Sequence, residues 1–337
     1  MSARNLTNVV VVGVGAFGRN HARVYHQLAQ QGEAVRLVGV VDADLARADA
    51  VAREFCCRSF GSIEQLTTTH SEVQAASVAV PTSQHFRVSR ALMESGIDIL
   101  IEKPVTASLA EADELIRLAQ RFGRIAQVGH LERFNPAIRA TLPLITQPMF
   151  FEVHRLSVFT PRSLDIDVVL DLMIHDLDVV LSFVKSSIKE IRAVGLPILS
   201  GKADIANVRV EFESGCVANF TASRVSTERV RKLRFFQPKQ YISIDYTRQD
   251  VLLFSVGEGE HAGAPSINPQ IKVAKPPVVA EEPLHAELKS FLDSVRTRSK
   301  PVVPLEDGQR ALAAALDITA AINDHSRKIN LELLRSS

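Results

Sequence analysis

The sequence has 337 residues, of which 46% are hydrophobic, and its 39 Lys and Arg residues balance 38 Asp and Glu residues to a formal net charge of +1. A chain of this length predicts two domains, and its composition excludes an intrinsically disordered protein, which would be poor in apolar residues and strongly charged. The near-zero net charge also argues against nucleic acid as the main partner, because binding to a phosphate backbone depends on an excess of Lys and Arg.

The sequence gives no sign of a membrane or a metal as partner. No apolar run approaches the roughly 18 residues of a membrane-spanning helix, and the N-terminal residues lack the layout of a signal peptide, in which basic residues precede an apolar stretch. The cysteines, Cys56, Cys57 and Cys216, include no C-x-x-C pair that would hold zinc or run redox chemistry. We therefore expect a cytoplasmic protein without a bound metal.

The first predicted elements are a strand, a tight turn and a helix. β-branched residues over 8–12 lead into a glycine-rich turn, after which apolar residues recur at helical spacing. Gly13 permits the turn, Gly15 lets the backbone approach a pyrophosphate, and Gly18 lets the helix pack closely on the strand. Free N–H groups at the start of the helix favour an anion. The turn reads Gly13-Val14-Gly15-Ala16-Phe17-Gly18.

A second predicted strand, Val35–Val41, ends in Asp42, 24 residues after Gly18. A carboxylate at this point accepts hydrogen bonds from the hydroxyls of an adenosine ribose. It also repels a 2′-phosphate, and the next four positions contain no Arg, so the sequence favours NAD over NADP. Arg47 lies one helical turn further on and is within reach of a 2′-phosphate.

Strands and helices continue to alternate as far as residue 128. We predict a helix with apolar residues from Leu45 to Phe55 on one face, strands over 75–80, 97–101 and 125–128, and helices between them, one of which spans Leu109–Phe122. Such alternation predicts a doubly wound parallel sheet, whose ligands bind beyond the carboxyl ends of the strands. The candidate site residues that directly follow strands are Pro81 and Thr82, then Glu102, Lys103 and Pro104, then Gly129 and His130.

The pattern changes after Gly129 to a helix over 168–184 and then to strands with alternating faces. Polar residues alternate with apolar ones up to Phe212, Ser214-Gly215 predicts a hairpin, and further strands are predicted over 216–223, 233–237, 240–245 and 251–254. A Gly- and Pro-rich loop over 257–269 and two amphipathic helices follow. We predict an α/β protein with a Rossmann domain over residues 1–129 and an α+β domain, built on a mainly antiparallel sheet, over 130–337.

The predicted helix over 168–184 carries a narrow polar stripe. Asp171, His175, Asp178 and Ser182 are spaced by four, three and four residues and therefore share one face. Such a stripe is usually only a solvated face, but ionisable residues are scarce in this helix, which favours a functional cluster. One use is ligation of a divalent metal, although no His-rich motif offers a completing ligand. We favour proton transfer, in which Asp171 orients His175 and raises its basicity, because a nicotinamide enzyme must remove the proton of an alcohol.

Lys103 is a third candidate for the same chemistry. It follows a buried strand at the ligand edge of the sheet, and Pro104 restricts the local backbone so that the ammonium group is held in one place. The alternative is a surface lysine beside a turn proline.

Together these motifs resemble those of the glucose-fructose oxidoreductase and inositol dehydrogenase family of two-domain NAD(P)-dependent sugar dehydrogenases. The resemblance extends to about residue 185 and implies Lys103, Asp171 and His175 as the catalytic group. It also implies a second domain whose large open sheet serves substrate binding and joins subunits into a homodimer or homotetramer. The residues that the resemblance assigns to the cofactor are Gly13, Gly15, Ala16, Phe17, Gly18, Asp42, Pro81, Thr82, His85, Glu102 and Lys103.

The sequence departs from the family pattern just before the catalytic helix. The family commonly has a glycine-rich stretch there, whereas residues 165–169 read Asp-Ile-Asp-Val-Val. The segment 129–136, together with 167–178, is similar to the branch that oxidises the 3-hydroxyl of UDP-N-acetylglucosamine or related nucleotide sugars. Arg133 and Asn135 then join Lys103 and His175 as substrate-side candidates. The alternative for Asn135 is a helix cap, with Pro136 at the first helical position.

The sequence therefore predicts an enzyme that moves a hydride from a sugar ring carbon to NAD and leaves a keto sugar. His175 would remove the hydroxyl proton while Lys103 hydrogen-bonds the same oxygen. One alternative is a dehydrogenase of inositol or another free polyol. A second alternative is a non-catalytic module that binds NAD or a nucleotide sugar.

One local charge cluster interrupts the overall balance. Residues 224–234 contain five cations and a single acidic residue, Glu228. We favour an exposed hairpin face for this cluster, with a binding site for the diphosphate of a nucleotide sugar as the alternative. The cations are Arg224, Arg229, Arg231, Lys232 and Arg234.

Overall fold

The computed structural model describes residues 6–69, 72–160, 166–257 and 270–328. The chain divides into two compact units, of which the first comprises Met1–Phe134 and Glu282–Leu312 and the second comprises Asn135–Glu281 and Ala313–Ser337. This partition differs from the predicted division after residue 129, because Glu282–Leu312 packs with the first unit. Within the described residues, no helix is both long enough and apolar enough to cross a membrane.

The strands and helices alternate in the first part of the chain, and strands dominate the second part. In chain order they are β1 (Thr7–Val12), α1 (Ala16–Gln30), β2 (Val35–Val41), α2 (Leu45–Glu54), β3 (Arg58–Phe60), α3 (Ile63–Thr69), β4 (Ala75–Val78), α4 (Thr82–Glu94), β5 (Asp98–Glu102), α5 (Leu109–Phe122), β6 (Ala126–Gly129), α6 (Pro136–Thr141), β7 (Phe150–Leu156), α7 (Ile174–Val184), β8 (Ile188–Leu196), β9 (Ile205–Phe212), β10 (Val217–Ser223), β11 (Val230–Gln237), β12 (Gln240–Asp245), β13 (Asp250–Gly257), β14 (Gln270–Ala274), α8 (Pro283–Thr297) and α9 (Leu305–Lys328).

The first unit is built on a six-stranded sheet in the order β3-β2-β1-β4-β5-β6. All neighbouring strands pair in parallel, which confirms the predicted doubly wound sheet. β4, β5 and β6 are buried along their whole length, as expected for parallel strands that are covered on both faces. Side chains that follow β1, β2, β4, β5 and β6 therefore meet at one edge of the sheet.

Helix α8 completes the core of the first unit although it comes much later in the chain. Its Leu288 and Phe291 belong to the same buried cluster as Tyr25 and Leu28 of α1. Burial of such apolar side chains contributes roughly 1.5–3 kcal/mol each. This contact is the reason why the chain returns to the first unit near residue 282.

The second unit is built on an eight-stranded sheet in the order β14-β13-β12-β11-β7-β10-β9-β8. Within the described part of this sheet, β7 and β10 are the one parallel pair and the other pairs are antiparallel, which confirms the predicted, mainly antiparallel sheet. Phe183 of α7 packs on Phe151 and Phe235 of the inner face, with ring centroids 6.3 and 5.9 Å apart. The sheet thus holds α7 by its apolar side.

Two predicted elements differ from the structure or fall outside it. The helix predicted over 168–184 begins as a π-helical turn, Val169–Met173, and only then becomes the α-helix α7. The predicted loop over 257–269 lies outside the described residues, except for Gly257, which ends β13. The spacing of apolar residues over 168–184 identifies a helix but does not distinguish the wider π turn from the α form.

Candidate active site

The glycine-rich turn in the first unit has the close contacts that its glycines predict. Gly13 has a φ of +84°, and a Cβ on it would lie 2.7 Å from the backbone of residues 79–80. A Cβ on Gly18 would lie 1.8 Å from the carbonyl oxygen of Gly13, whereas a Cβ on Gly15 would meet nothing within 4 Å. Two of the glycines thus allow tight packing, and the third faces open space.

The start of α1 is arranged to receive an anion. Gly15 is the N-cap residue, and no side chain accepts a hydrogen bond from the first turn. Ala16 and Phe17, the first helical residues, are exposed, and Phe17 keeps 43% of its surface. Uncapped N–H groups at a helix N-terminus bind phosphate groups, so the turn fits the pyrophosphate of a dinucleotide.

Asp42 lies next to this turn and is almost buried. Its Oδ2 accepts a hydrogen bond from the backbone N–H of Val14 at 2.9 Å, and its Oδ1 accepts one from Asp44 N–H at 2.9 Å. The guanidinium of Arg47 is 3.5 Å from both carboxylate oxygens and also pairs with Asp44 at 3.1 Å. Asp42 therefore fixes the glycine-rich turn and at the same time holds Arg47 at the edge of the cavity.

A cavity of about 770 Å³ extends from the glycine-rich turn along the carboxyl edge of the sheet. It brings together candidates that are far apart in the sequence, because the ends of parallel strands share one edge. Its size and its polar rim fit a dinucleotide. Its lining includes Gly13, Gly15, Asp42, Arg47 and Pro81.

Pro81 and Thr82 lie at the start of α4, where Pro81 is the N-cap residue. His85, one turn further on, is only 1% exposed. Its Nε2 lies 2.9 Å from the carbonyl oxygen of Val80, and its Nδ1 lies 2.9 Å from that of Pro104. Burial lowers the pKa of His85 below its ordinary value. Both ring nitrogens thus lie next to backbone carbonyls. The structure gives His85 a contact that holds the backbone in place, which the resemblance did not imply.

Lys103 directly follows β5 and is partly exposed. The preceding Glu102 is 9% exposed, and its Oε1 lies 3.1 Å from Nε2 of His21, a histidine on α1 with no exposed surface. A Cβ on Gly129, at the end of β6, would lie 2.6 Å from the same oxygen. The peptide bond between Lys103 and Pro104 is cis.

His130 comes directly after β6 and is buried, with 1% of its surface exposed. Within the described part of the chain, neither of its ring nitrogens has a hydrogen-bond partner. Burial, followed by the charges of Arg133 and Lys103, lowers its pKa to about 3. The ring is therefore neutral at physiological pH and retains both a donor and an acceptor.

The second unit carries the other two catalytic candidates. Asp171 lies in the π turn and His175 in the first turn of α7, and both are partly exposed. Asp167 accepts hydrogen bonds from Val169 N–H at 2.9 Å and Leu170 N–H at 3.0 Å, and so caps the π turn. The predicted stripe does not continue as a uniform polar face, because Asp178 is only 2% exposed.

The residue after His175 forms a buried ion pair with a central strand. Arg155 of β7 donates from its Nε to Oδ2 of Asp176 at 2.6 Å and from its Nη2 to Oδ1 at 2.9 Å. The two side chains are 4% and 2% exposed. The guanidinium of Arg155 is therefore the charged partner of Asp176. The described residues contain no group of three or more His, Cys, Asp or Glu side chains that could hold a metal ion.

The two substrate-side candidates beside residue 134 make contacts inside the protein. Arg133 lies 3.4 Å from Oδ2 of Asp307 and donates to the carbonyl of Val302 at 3.3 Å. Asn135 accepts from Ala137 N–H at 3.0 Å and donates to the carbonyl of Tyr246 at 3.1 Å. Asn135 is thus the N-cap of α6, which is the structural alternative that the sequence left open.

The basic cluster over 224–234 does not form one patch. Arg224 is 5% exposed and donates to the carbonyl of Ile166 at 2.8 Å, with its Nε 3.9 Å from Asp204. Arg234 lies on the sheet and pairs with Glu152 at 3.2 Å. The predicted exposed face is therefore wrong for Arg224, which is a buried structural cation.

Sequence reasoning missed His21, the role of His130 and the partner of Asp176. His21 falls on the apolar face of α1, three residues after Gly18, where a polar side chain is unusual. His130 stands directly after a buried strand, in the position that marked Lys103 as a candidate. No sequence signal identifies Arg155, because it belongs to a strand with alternating polar residues.

Two family models match the chain. The model described as an oxidoreductase family with an NAD-binding Rossmann fold matches residues 7–130. The model described as the GFO/IDH/MocA C-terminal domain matches residues 149–242. The two matches correspond to the two sheets.

Relatives extend the match to almost the whole chain. A UDP-N-acetylglucosamine 3-dehydrogenase of Acidithiobacillus ferrooxidans is 38% identical over 314 residues, which cover 93% of this chain and 96% of that protein. A scyllo-inositol 2-dehydrogenase (NAD(+)) of Bacillus subtilis is 28% identical and covers 64% of this chain and 67% of its own length. A solved structure of a UDP-N-acetylglucosamine 3-dehydrogenase from A. ferrooxidans has a TM-score of 0.85 at 36% identity, with 94% of this chain and 97% of that chain covered.

Proposed function

We propose that this chain, which belongs to the GFO/IDH/MocA family of NAD-binding oxidoreductases, oxidises the 3-hydroxyl of a UDP-N-acetylglucosamine-type nucleotide sugar to a ketone. The family models and the relatives confirm the family that the sequence motifs indicated. They also confirm NAD as its cofactor. The observation that carries the substrate is the 38% identity to a UDP-N-acetylglucosamine 3-dehydrogenase, which runs through both units. The inositol dehydrogenases match a smaller share of the chain at lower identity.

Oxidation of a secondary alcohol removes a hydride from carbon and a proton from oxygen. NAD supplies the hydride acceptor when it is bound. The proton needs a base that stands at the reacting oxygen, and we assign this role to His175. Its position supports the assignment, since it is partly exposed on a helix that Arg155 and Asp176 hold to the sheet. Asp171, one turn earlier, orients His175 and stabilises its protonated form.

We assign to Lys103 the hydrogen bond to the same substrate oxygen. A positive charge there stabilises the negative charge that develops as the proton leaves, and it holds the oxygen in one place. The support for this role is the location of Lys103 at the carboxyl end of β5, between two neighbours that are held by buried side chains.

The experiment is to mix the protein with NAD and UDP-N-acetylglucosamine and to follow NADH by its absorbance. We expect NADH formation, and we expect His175→Ala to abolish it while the dissociation constant of NAD changes by less than about twofold, because the base does not hold the cofactor. Ser182→Ala, on the same helix two turns away, is the matched control and should retain turnover. Retained turnover in His175→Ala would contradict the assigned base.

The same assay separates the alternative substrates. Faster NADH formation from myo- or scyllo-inositol than from UDP-N-acetylglucosamine would favour a polyol dehydrogenase. If NAD binds but none of these compounds produces NADH, the protein is a binding module.

We also propose that the outer face of the eight-stranded sheet joins copies of this chain. One cross-strand row on that face is apolar across six strands, and none of its side chains is buried. Its aromatic rings lie 4.8 to 5.7 Å apart. A flat apolar row of this kind indicates a covered surface, and a twofold interface can pack it against itself. The row consists of Val217, Phe150, Phe236, Tyr241, Phe254 and Val273.

A further inference from the structure

The residues on either side of Lys103 are each held by a buried histidine. On one side, Glu102 accepts a hydrogen bond from Nε2 of His21 at 3.1 Å. On the other side, the carbonyl of Pro104 lies 2.9 Å from Nδ1 of His85. His21 and His85 are 0% and 1% exposed. Lys103 is thus a partly exposed side chain between two anchored neighbours.

The link between His21 and Glu102 joins two elements that are distant in sequence. His21 lies on α1, the helix that begins at the glycine-rich turn, and Glu102 ends β5. Among the described residues, Nδ1 of His21 has no hydrogen-bond partner, which fits the tautomer that carries its proton on Nε2 and donates it to the carboxylate. Burial of a polar pair costs free energy, because both groups lose their hydration. For packing alone, an apolar pair in place of His21 and Glu102 would therefore be at least as stable.

Gly129 leaves the space that this carboxylate occupies. A Cβ at position 129 would lie 2.6 Å from Oε1 and 2.9 Å from Cδ of Glu102. Gly129 does not have the positive φ that would itself require glycine. The close approach of the carboxylate is therefore the reason for a glycine here.

His85 joins the backbone after β4 to the backbone after β5. Its ring lies between the carbonyls of Val80 and Pro104, at 2.9 Å from each. These two segments lie at the edge of the sheet that also carries the cofactor cavity. The neutral ring has one N–H group, and in the tautomer with its proton on Nδ1 it donates to the carbonyl of Pro104 and fixes the backbone just after Lys103.

We propose that His21, acting through Glu102, and His85, acting through Pro104, are positioning residues that fix the ammonium group of Lys103. This inference rests on the role of Lys103 in the proposed function. Neither histidine touches the reacting atoms. Loss of either one should lower turnover more than it weakens cofactor binding, because Glu102 and Pro104 are the direct neighbours of Lys103, whereas Asp42 fixes the glycine-rich turn through Val14 N–H.

The first test compares two variants at position 21. His21→Leu removes the donor to Glu102, and His21→Gln keeps an N–H group at a similar distance from the backbone. Because the Glu102 carboxylate loses its donor, we expect His21→Leu to lower kcat by roughly tenfold or more. We expect His21→Gln to recover most of kcat, with the KM for UDP-N-acetylglucosamine and the dissociation constant of NAD nearly unchanged in both. His26→Leu, on the same helix, is the control.

The second test moves the carboxylate and leaves the histidine in place. Gly129→Ala places a methyl group against Glu102, and the side chain must shift away from His21. We expect a loss of kcat similar to that of His21→Leu. Gly201→Ala, where a Cβ meets nothing within 4 Å, is the control and should retain full activity.

The third test does not use turnover. Acetic anhydride labels Lys103 at a rate that mass spectrometry measures, and a loosened side chain reacts faster. We expect the rate at Lys103 to rise at least threefold or so in His21→Leu, His85→Leu and Gly129→Ala, and to stay unchanged in His26→Leu. A thermal unfolding scan of His85→Leu, compared with that of the wild-type protein, checks that this variant is folded.

The outcomes separate the two proposals. If the wild-type protein forms no NADH from any of the sugars but the labelling rates change as expected, the proposed function fails and the positioning contacts stand. If NADH forms and both kcat and labelling of Lys103 are unchanged in His21→Leu and Gly129→Ala, the positioning role is overturned. A loss of kcat in His21→Leu that His21→Gln does not relieve would also contradict it.

Discussion

Asp42 combines three contacts in one nearly buried carboxylate. It accepts hydrogen bonds from Val14 N–H and Asp44 N–H, and it holds the guanidinium of Arg47 at 3.5 Å. A Rossmann carboxylate at this point selects against a 2′-phosphate. Here it also holds Arg47, a cation that could bind such a phosphate, at the edge of the cavity.

Asp42→Ser should therefore change the cofactor preference. The substitution removes the repulsive charge and one of the two carboxylates that pair with Arg47, so we expect the ratio of kcat/KM for NADP to that for NAD to rise by at least tenfold or so. The measurement is initial-rate kinetics with both cofactors. Adding Arg47→Ala to this variant should abolish the gain, and an equal gain without Arg47 would show that the guanidinium plays no part.

His130 should make the protein sensitive to acid. Its pKa is about 3 in the folded protein and 6.5 ordinarily, because burial excludes the charged ring. Between these values the unfolded chain binds a proton that the folded chain does not, so the free energy of unfolding falls as the pH decreases from 6.5 towards 3.

His130→Phe removes this titration. We expect the slope of the free energy of unfolding against pH to become smaller by up to about 1.4 kcal/mol per pH unit between pH 4 and 6. Urea unfolding at several pH values measures it. An unchanged slope would mean that the buried ring is protonated in the folded protein.

At this scale the sequence predicts chemistry well where a motif requires a residue type. The glycines at 13 and 18 have the predicted close contacts, and Asp42 lies beside the turn as expected. The contacts of His21 with Glu102 and of His85 with Pro104 could not be predicted, because the end of β5 and the residues just after it approach α1 and α4 only in the folded protein.

At the scale of elements, the segment that carries Asp171 and His175 is not a regular α-helix from end to end. The π turn over Val169–Met173 is capped by Asp167, and the α-helix that follows is fixed by the ion pair of Asp176 with Arg155. π turns inside helices often occur at functional sites. The hydrophobic period predicted one continuous helix over 168–184 and did not distinguish the π turn from the α-helix.

Asp176→Leu should destabilise the second unit by about 3–5 kcal/mol, because it leaves the guanidinium of Arg155 buried without its carboxylate. Urea unfolding followed by circular dichroism measures the loss. The double variant Arg155→Met with Asp176→Leu should recover most of it. Asp324→Leu, which removes an exposed pair with Arg327, is the control and should cost less than about 1 kcal/mol.

Strands were predicted where one face is apolar and were missed where charge masks it. β12 and α5 have the predicted bounds. The sequence reasoning did not identify β7, β8 or β14. β8 reads IKEIRAVGL and lies at the edge of the sheet, where charged residues are tolerated on a strand.

At the scale of the whole molecule, the sequence predicts both sheets because each has its own hydrophobic pattern. It did not predict that Glu282–Leu312 returns to the first unit. Amphipathic helices such as α8 carry no sign of which apolar surface they cover. Only the packing of Leu288 and Phe291 against α1 decides it.

Assembly of the molecule should depend on the apolar row of the outer sheet face. Phe236 is the centre of the aromatic part of that row and keeps 38% of its surface exposed. Phe236→Lys places a charge among the rings, so we expect it to shift the proposed oligomer towards the monomer. Analytical ultracentrifugation measures the mass. Lys232→Ala, on the same strand but outside the row, is the control, and an unchanged mass in Phe236→Lys would exclude this face as the interface.

The parallel pair of β7 and β10 has a consequence for the order of folding. Hairpins such as β9 with β10 close over short loops. The pairing of β7 with β10 closes a much longer loop, because the π turn, α7, β8 and β9 lie between these two strands in the sequence. Long loops close late because their entropy must be lost first. His175 lies within this loop. A refolding chain should therefore close the β9–β10 hairpin before the pairing of β7 with β10 fixes the segment that carries His175.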